Sequence, residues 1–259
     1  ASLGATGPAV QEGVAKYLDM TPMRVPSRAI GDHLTEYVVL LGMLGATCGK
    51  IGREVYTLMK TEFGELEEPM PDGSVGSSTM PQKRNPVYCQ DVIACAAEIR
   101  SVVPLALEAM QTEHEADRTT ALMIREATAR ACILTGDMLL RVGMIMEGVT
   151  LRPERMRRNL DLGGGLIMAE AVMLQLGGAI GRQHAHDVVH DAAQAAFVEG
   201  RPFAELLGAD TRVTAHLDHA AIDALLDPTR YTGLCAQLAR QAAGRAREAA
   251  VALGEGRGA

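Results

Sequence analysis

The chain has 259 residues, long enough for one large domain or two modest ones with a real core. Hydrophobic residues make up 47% and aromatics only 3%, which excludes a disordered chain and suits close helix packing better than a β-sandwich. Lys and Arg number 25 against 32 Asp and Glu, a net charge of −7 with no basic block, so nucleic acid is not expected as a partner.

Residues 1–30 read as a loop-rich entry with a short helix over Ala9–Tyr17. From Gly31 to about Met59 the pattern is a long amphipathic helix, with Leu34, Val38, Leu41, Leu44 and Ile51 among its apolar positions. Its most apolar stretch, Tyr37 to Cys48, falls short of the ~20 residues a membrane span needs, and Gly42 and Gly45 interrupt it. No membrane segment is therefore predicted. Residues 61–85 are too rich in Gly and Pro to be helical throughout, and a loop of that length is usually functional or mobile.

A second helix is predicted from Asn85-Pro86, with Asn85 as N-cap and Pro86 at the first helical position, running to about Met110 with a kink at Pro104. Thr112 and Glu115 have capping-box spacing and predict a third helix that ends near Gly148. Met138, Met144 and Met146 on that helix read as core packing. Three long helices joined this way make a bundle. After Pro153 the segments shorten. The expectation is all-α, with a long-helix bundle over residues 1–148 and a smaller helical domain over residues 149–259. No strand is predicted. Cys48, Cys89, Cys95, Cys132 and Cys235 are scattered, without a C-x-x-C pair, and read as free thiols in a reducing cytoplasm. No signal peptide opens the chain; it starts at Ala1 and reads as the interior of a longer protein.

The run Gly76-Ser77-Ser78-Thr79-Met80-Pro81-Gln82-Lys83-Arg84-Asn85-Pro86 joins a flexible loop to hydroxyls, a lysine and a helix N-terminus. The free N–H groups of such a terminus attract a carboxylate or phosphate, and Lys83 adds a full charge there. The spacing is not that of a Walker loop. On physics alone, a surface loop and an anion site fit equally well.

This run matches every fixed position of G-S-S-x-M-P-x-K-x-N-P and so resembles the signature of the fumarase/aspartase superfamily. Lys50-Ile51-Gly52-Arg53-Glu54, Thr61-Glu62-Phe63-Gly64-Glu65 and Glu68-Pro69 look like the approach to this loop in adenylosuccinate lyases and carboxymuconate cycloisomerases. Arg155-Met156, Asn159-Leu160, Ala169-Glu170-Ala171-Val172-Met173, Asp227-Pro228, Tyr231 and Gly233 resemble the C-terminal domain of the cycloisomerases. The family's N-terminal domain, with a catalytic histidine, has no counterpart among these residues.

The resemblance implies abstraction of a proton beside a carboxylate, followed by loss of a β-leaving group. It makes Ser77 the catalytic base. Lys83 and Asn85 hold and polarise the carboxylate, Met80 lines the site, and Ser78 supplies a second hydrogen bond or is only a loop hydroxyl. It implies no metal and no organic cofactor, a small polycarboxylate substrate, and a homotetramer whose active sites draw on three chains. A fumarate-releasing lyase and a carboxymuconate cycloisomerase both fit, the latter more closely. A non-catalytic helical scaffold is the rival from another class, disfavoured by the intact loop.

Other groups carry less. His184, His186 and His190 invite a zinc reading, but H-D-V-V-H is not H-E-x-x-H, and a solvated or capping face is expected. Gly163–Gly165 lack nucleotide-loop spacing and read as a helix-to-helix turn. Glu113-His114-Glu115-Ala116-Asp117 resembles the H-E-R-D stretch of adenylosuccinate lyases, with Ala116 where the arginine stands. Ala121-Leu122 and Ile30-Gly31 likewise replace anion-binding groups. These replacements argue against a nucleotide monophosphate as substrate.

Overall fold

The structure, a computed structural model, describes residues 3–24, 29–70, 73, 79–80, 83–114 and 116–255. Helix α1 (Gly7–Tyr17) carries Pro8 in its first turn, where the missing N–H costs nothing, and so starts slightly before the expected position. Helix α2 (Asp32–Leu58) is followed by strand β1 (Leu66–Glu67), helix α3 (Val87–Ser101), helix α4 (Val103–Glu108), helix α5 (Arg118–Gly148) and strand β2 (Thr150–Leu151). The expected kink at Pro104 is a break at Val102, because Pro104 is accommodated in the first turn of α4.

Helix α2 is long and apolar enough, by length and composition alone, to cross a membrane, a test that the core helix of a helical bundle also passes. What it buries is a row of glycines. An added Cβ would lie 2.8 Å from Val103 at Gly42, 2.9 Å from Ala96 at Gly49 and 3.0 Å from Val92 at Gly52. The glycines are not interruptions of an apolar helix; they let α3 and α4 approach its backbone. The expected apolar face is corrected accordingly. Val38 and Leu41 are buried, whereas Leu34 and Leu44 are each 37% exposed.

Gly49→Ala is therefore expected to lower stability by ~1–2 kcal/mol, overpacking against Ala96 outweighing the gain in helix propensity. Gly13→Ala, with no neighbour within 4 Å, should raise it by ~0.5–1 kcal/mol. Urea denaturation of both variants checks the contrast, and equal shifts would contradict it.

Helix α5 packs against α2 and α3 through Ala127, Ala131, Met138 and Ile145. Of the methionines expected in the core, only Met138 is buried; Met144 and Met146 are 39% and 48% exposed. Polar groups tie the helices together: Thr35 Oγ1 donates to the Ala106 carbonyl at 2.8 Å, Arg141 meets Asp91 at 2.9 Å, and Arg130 meets Glu98 at 3.0 Å. The expected capping box at Thr112 is not what starts α5. Asp117 is the N-cap, accepting from the Thr119 N–H at 2.8 Å, and the Thr112 hydroxyl lies 3.2 Å from that of Thr120. Glu115 lies outside the described residues.

The strands pair antiparallel, Leu66 opposite Leu151 and Glu67 opposite Thr150. Two residues have no periodicity to read, so sequence missed them. Their pairing draws Thr150 and Leu151 into the first unit. The chain divides into Ala1–Leu151 and Arg152–Ala259.

The second unit contains α6 (Pro153–Asp161), α7 (Ala169–Ile180), α8 (Arg182–Glu199), α9 (Phe203–Ala209), α10 (Thr211–Thr214), α11 (His219–Leu225) and α12 (Cys235–Glu255). Its core is Val172, Leu176, Val188, Phe203, Leu207 and Ile222. Gly164 and Gly165 take φ of +57° and +88° in the turn after α6.

Candidate active site

The signature run joins β1 to α3. Ser77 and Ser78, the expected base and its neighbour, lie outside the described residues. Thr79, Met80 and Lys83 to Pro86 are described. The Lys83 N–H donates to the Met80 carbonyl at 3.0 Å, a turn that brings these two residues to the same side. Both line a cleft of about 580 Å³. Asn85 is half-buried at the entry to α3, and its carbonyl accepts from the Val87 N–H at 2.9 Å.

The other wall of the cleft comes from the end of α2 and from β1: Tyr56, Met59, Lys60, Thr61 and Glu67, with Arg84 and Pro86 beside Lys83. Arg84 Nε lies 3.3 Å from a Glu67 carboxylate oxygen. The Lys60 ammonium sits 5.6 Å from the centroid of the Tyr56 ring. Among the described residues the lining holds three cations against one carboxylate, a balance that favours an anionic ligand. Sequence reasoning gave no role to Tyr56 or Lys60, because nothing local to residues 56–60 marks them as facing residues 80–84.

The start of α3 differs from expectation. Pro86, not Asn85, occupies the cap position, with φ −79° and ψ 69°, and no side chain of that residue serves as cap. The cap comes from Glu68. Its two carboxylate oxygens accept the N–H groups of Tyr88 and Cys89, both at 2.9 Å, and the residue is 4% exposed. The helix terminus does attract a carboxylate, but the protein supplies it. Two N–H groups of this terminus are thereby taken by the protein's own carboxylate. Burial first, then the bond to and charge of Glu68, push the Cys89 thiol far up, so it stays a neutral donor. Glu68 stands in the Glu68-Pro69 pair that carries the family resemblance, but its partners are 20 and 21 residues away in the chain.

Several residues that carry the resemblance in the second unit make local ties. Asp227 accepts from the N–H and hydroxyl of Thr229, at 3.0 and 2.7 Å, and these bonds, with Arg157 and Arg230 nearby, hold its carboxyl below the usual range. Tyr231 is pushed up by partial burial and then by its contact with Glu170. The His186 and His190 rings stack with centroids 6.0 Å apart and planes 9° from parallel. Among the described residues no group of three or more His, Cys, Asp or Glu is placed to hold a metal ion.

Residues 6–101 match the family described as Lyase, and residues 165–242 match the adenylosuccinate lyase C-terminus. The crystal structure of the 3-carboxy-cis,cis-muconate lactonizing enzyme from Pseudomonas putida superposes with a TM-score of 0.80 at 37% identity, over 90% of this chain and 52% of that one. The chain belongs to the fumarase/aspartase superfamily. Within it the branch is that of adenylosuccinate lyases and carboxymuconate cycloisomerases.

Superfamily relatives with other activities are equally near. Trans-aconitate decarboxylase 1 of Mycosarcoma maydis is 36% identical over 91% of this chain and 48% of its own length. An N-acetyl-S-(2-succino)cysteine lyase of Enterococcus italicus is 35% identical over 91% of this chain and 52% of its own. The chain spans about half the length of these superfamily members.

Proposed function

We propose that this protein is a fumarase/aspartase-superfamily lyase or cycloisomerase of a small, non-nucleotide polycarboxylate, most like 3-carboxy-cis,cis-muconate cycloisomerase. The observation that carries the reading is the cationic cleft into which Met80 and Lys83 of the signature run both open. In this reading Ser77 takes the proton beside the substrate carboxylate. Negative charge then grows on that carboxylate, and Lys83 and Asn85 stabilise it more than they stabilise the substrate. Ser78 adds a hydrogen bond, Met80 shapes the apolar side, and the group on the β-carbon departs, or the ring bond forms or opens. The similar proteins named above act on aconitate, a succino adduct and carboxymuconate, which share a polycarboxylate skeleton.

Substrate choice rests on absent anion-binding groups. Ala116, Ala121-Leu122 and Ile30-Gly31 stand where adenylosuccinate lyases carry anion-binding groups. Each lost contact to a charged group costs ~1.5–3 kcal/mol, so several together should depress turnover of adenylosuccinate by orders of magnitude. A spectrophotometric panel of adenylosuccinate, argininosuccinate, aspartate, a succinocysteine and 3-carboxymuconate tests this. One of the last two should lead. Efficient cleavage of adenylosuccinate would overturn the assignment.

The reading also includes a homotetramer with shared active sites. Tyr37, Leu40 and Met43 on α2 are 46%, 54% and 63% exposed, and Ile133 and Leu140 on α5 are 72% and 64% exposed. Large apolar side chains in such density call for burial against other copies. Light scattering should report a tetramer, and a clean monomer at micromolar concentration would contradict it.

A further inference from the structure

We infer that Lys60 is a second carboxylate-binding residue of the cleft and selects substrates with at least two carboxylates. The inference rests on the carboxylate-binding reading of Lys83.

Three cations line the cleft, and they are not equivalent. Arg84 is paired with Glu67 at 3.3 Å. Among the described residues, no carboxylate oxygen lies within 4 Å of the ammonium of Lys60 or Lys83. Two positive charges without a carboxylate partner among the described residues therefore line one space of about 580 Å³, Lys83 from the signature run and Lys60 from just beyond α2. A monocarboxylate engages one of them, whereas a dicarboxylate engages both.

The placement of Lys60 is restrained. Tyr56 stands one turn earlier on α2, and its ring lies 5.6 Å from the Lys60 ammonium, inside the ~6 Å range of a cation–π contact. The Lys60 carbonyl accepts from the N–H groups of Phe63 and Gly64, at 3.0 and 2.7 Å, which fixes the backbone where the helix ends. A lysine just beyond a helix C-terminus also interacts well with the helix dipole, which is the purely structural account of the same residue. The two accounts differ in what ligand binding should do when Lys60 is removed.

The test is calorimetric titration of the protein with tricarballylate, succinate and acetate, comparing wild type with Lys60→Met and Lys83→Met. Lys60 and Lys83 are both exposed, so both variants should fold, and circular dichroism verifies this. Lys60→Met should weaken tricarballylate and succinate by about three- to tenfold, the range for a partly screened ion pair in a charged cleft, and leave acetate within about twofold. Lys83→Met should weaken all three. If Lys83→Met weakens binding and Lys60→Met does not, Lys60 is only a helix-end cation, and the proposed function stands without it. If neither variant changes the affinity, or tricarballylate does not bind, the cleft is not a carboxylate site and both readings fall.

Discussion

Replacing Ser77 by alanine is expected to lower turnover by about 10²–10⁴-fold, the usual weight of a positioned proton-transfer group, while polycarboxylate binding stays within a few-fold of wild type. The split follows from the division of labour in the signature run. In the proposed mechanism Lys83 and Asn85 already bind the carboxylate in the ground state and bind it more tightly as charge grows there, whereas the hydroxyl at position 77, six residues before Lys83, matters only when the proton moves. A serine is a weak base in water, so in the proposed mechanism its ionised form depends on cations and N–H donors supplied by the same signature run, Lys83 foremost. Steady-state kinetics with the leading substrate of the panel, paired with calorimetric binding, separates the two effects. Near-normal turnover in a folded Ser77→Ala protein would remove Ser77 from the base role.

Glu68→Ala should destabilise the first unit by ~2–4 kcal/mol, the cost of removing a buried charged acceptor of two hydrogen bonds. The substitution removes the acceptor of two N–H groups, those of Tyr88 and Cys89, at a site that is 4% exposed and poorly placed for water to take over. It also removes the charge that faces the positive end of α3. Glu68→Gln keeps the shape and one acceptor oxygen but turns an NH₂ toward a backbone donor, so a loss of ~1–2 kcal/mol is expected. Urea denaturation gives both numbers. An alanine variant within about 0.5 kcal/mol of wild type would show that the N-terminus of α3 finds another partner. The loss should reach the cleft as well, because Lys83 and Arg84 precede the helix turn that Glu68 holds.

Legibility in the sequence followed the range of the interaction concerned. The long helices were readable because apolar spacing and helix-breaking residues act within a few positions; α2 was expected from about Gly31 to Met59 and spans Asp32–Leu58. A disruption at Pro104 was readable for the same reason, as a kink and not as the break that separates α3 from α4. The superfamily was readable from residues 76–86, since the chemistry concentrates its fixed residue types in one contiguous loop. Capping was read less well. Thr112 and Glu115 have the right spacing, but Asp117 stands nearer the first helical residue and takes the role.

The amino-acid sequence by itself determined the all-helical class, the approximate bounds of α2 and α5, and membership of the superfamily. The tertiary structure alone decided which face of each helix is buried, because a glycine stripe looks like a defect until α3 and α4 are seen lying against it. It alone assigned Glu68 to the start of α3 and brought Lys60 into the same cleft as Lys83. Those contacts join residues about 20 positions apart or more, and chain closure over that distance is set by packing of whole helices, not by any local preference of the residues that meet.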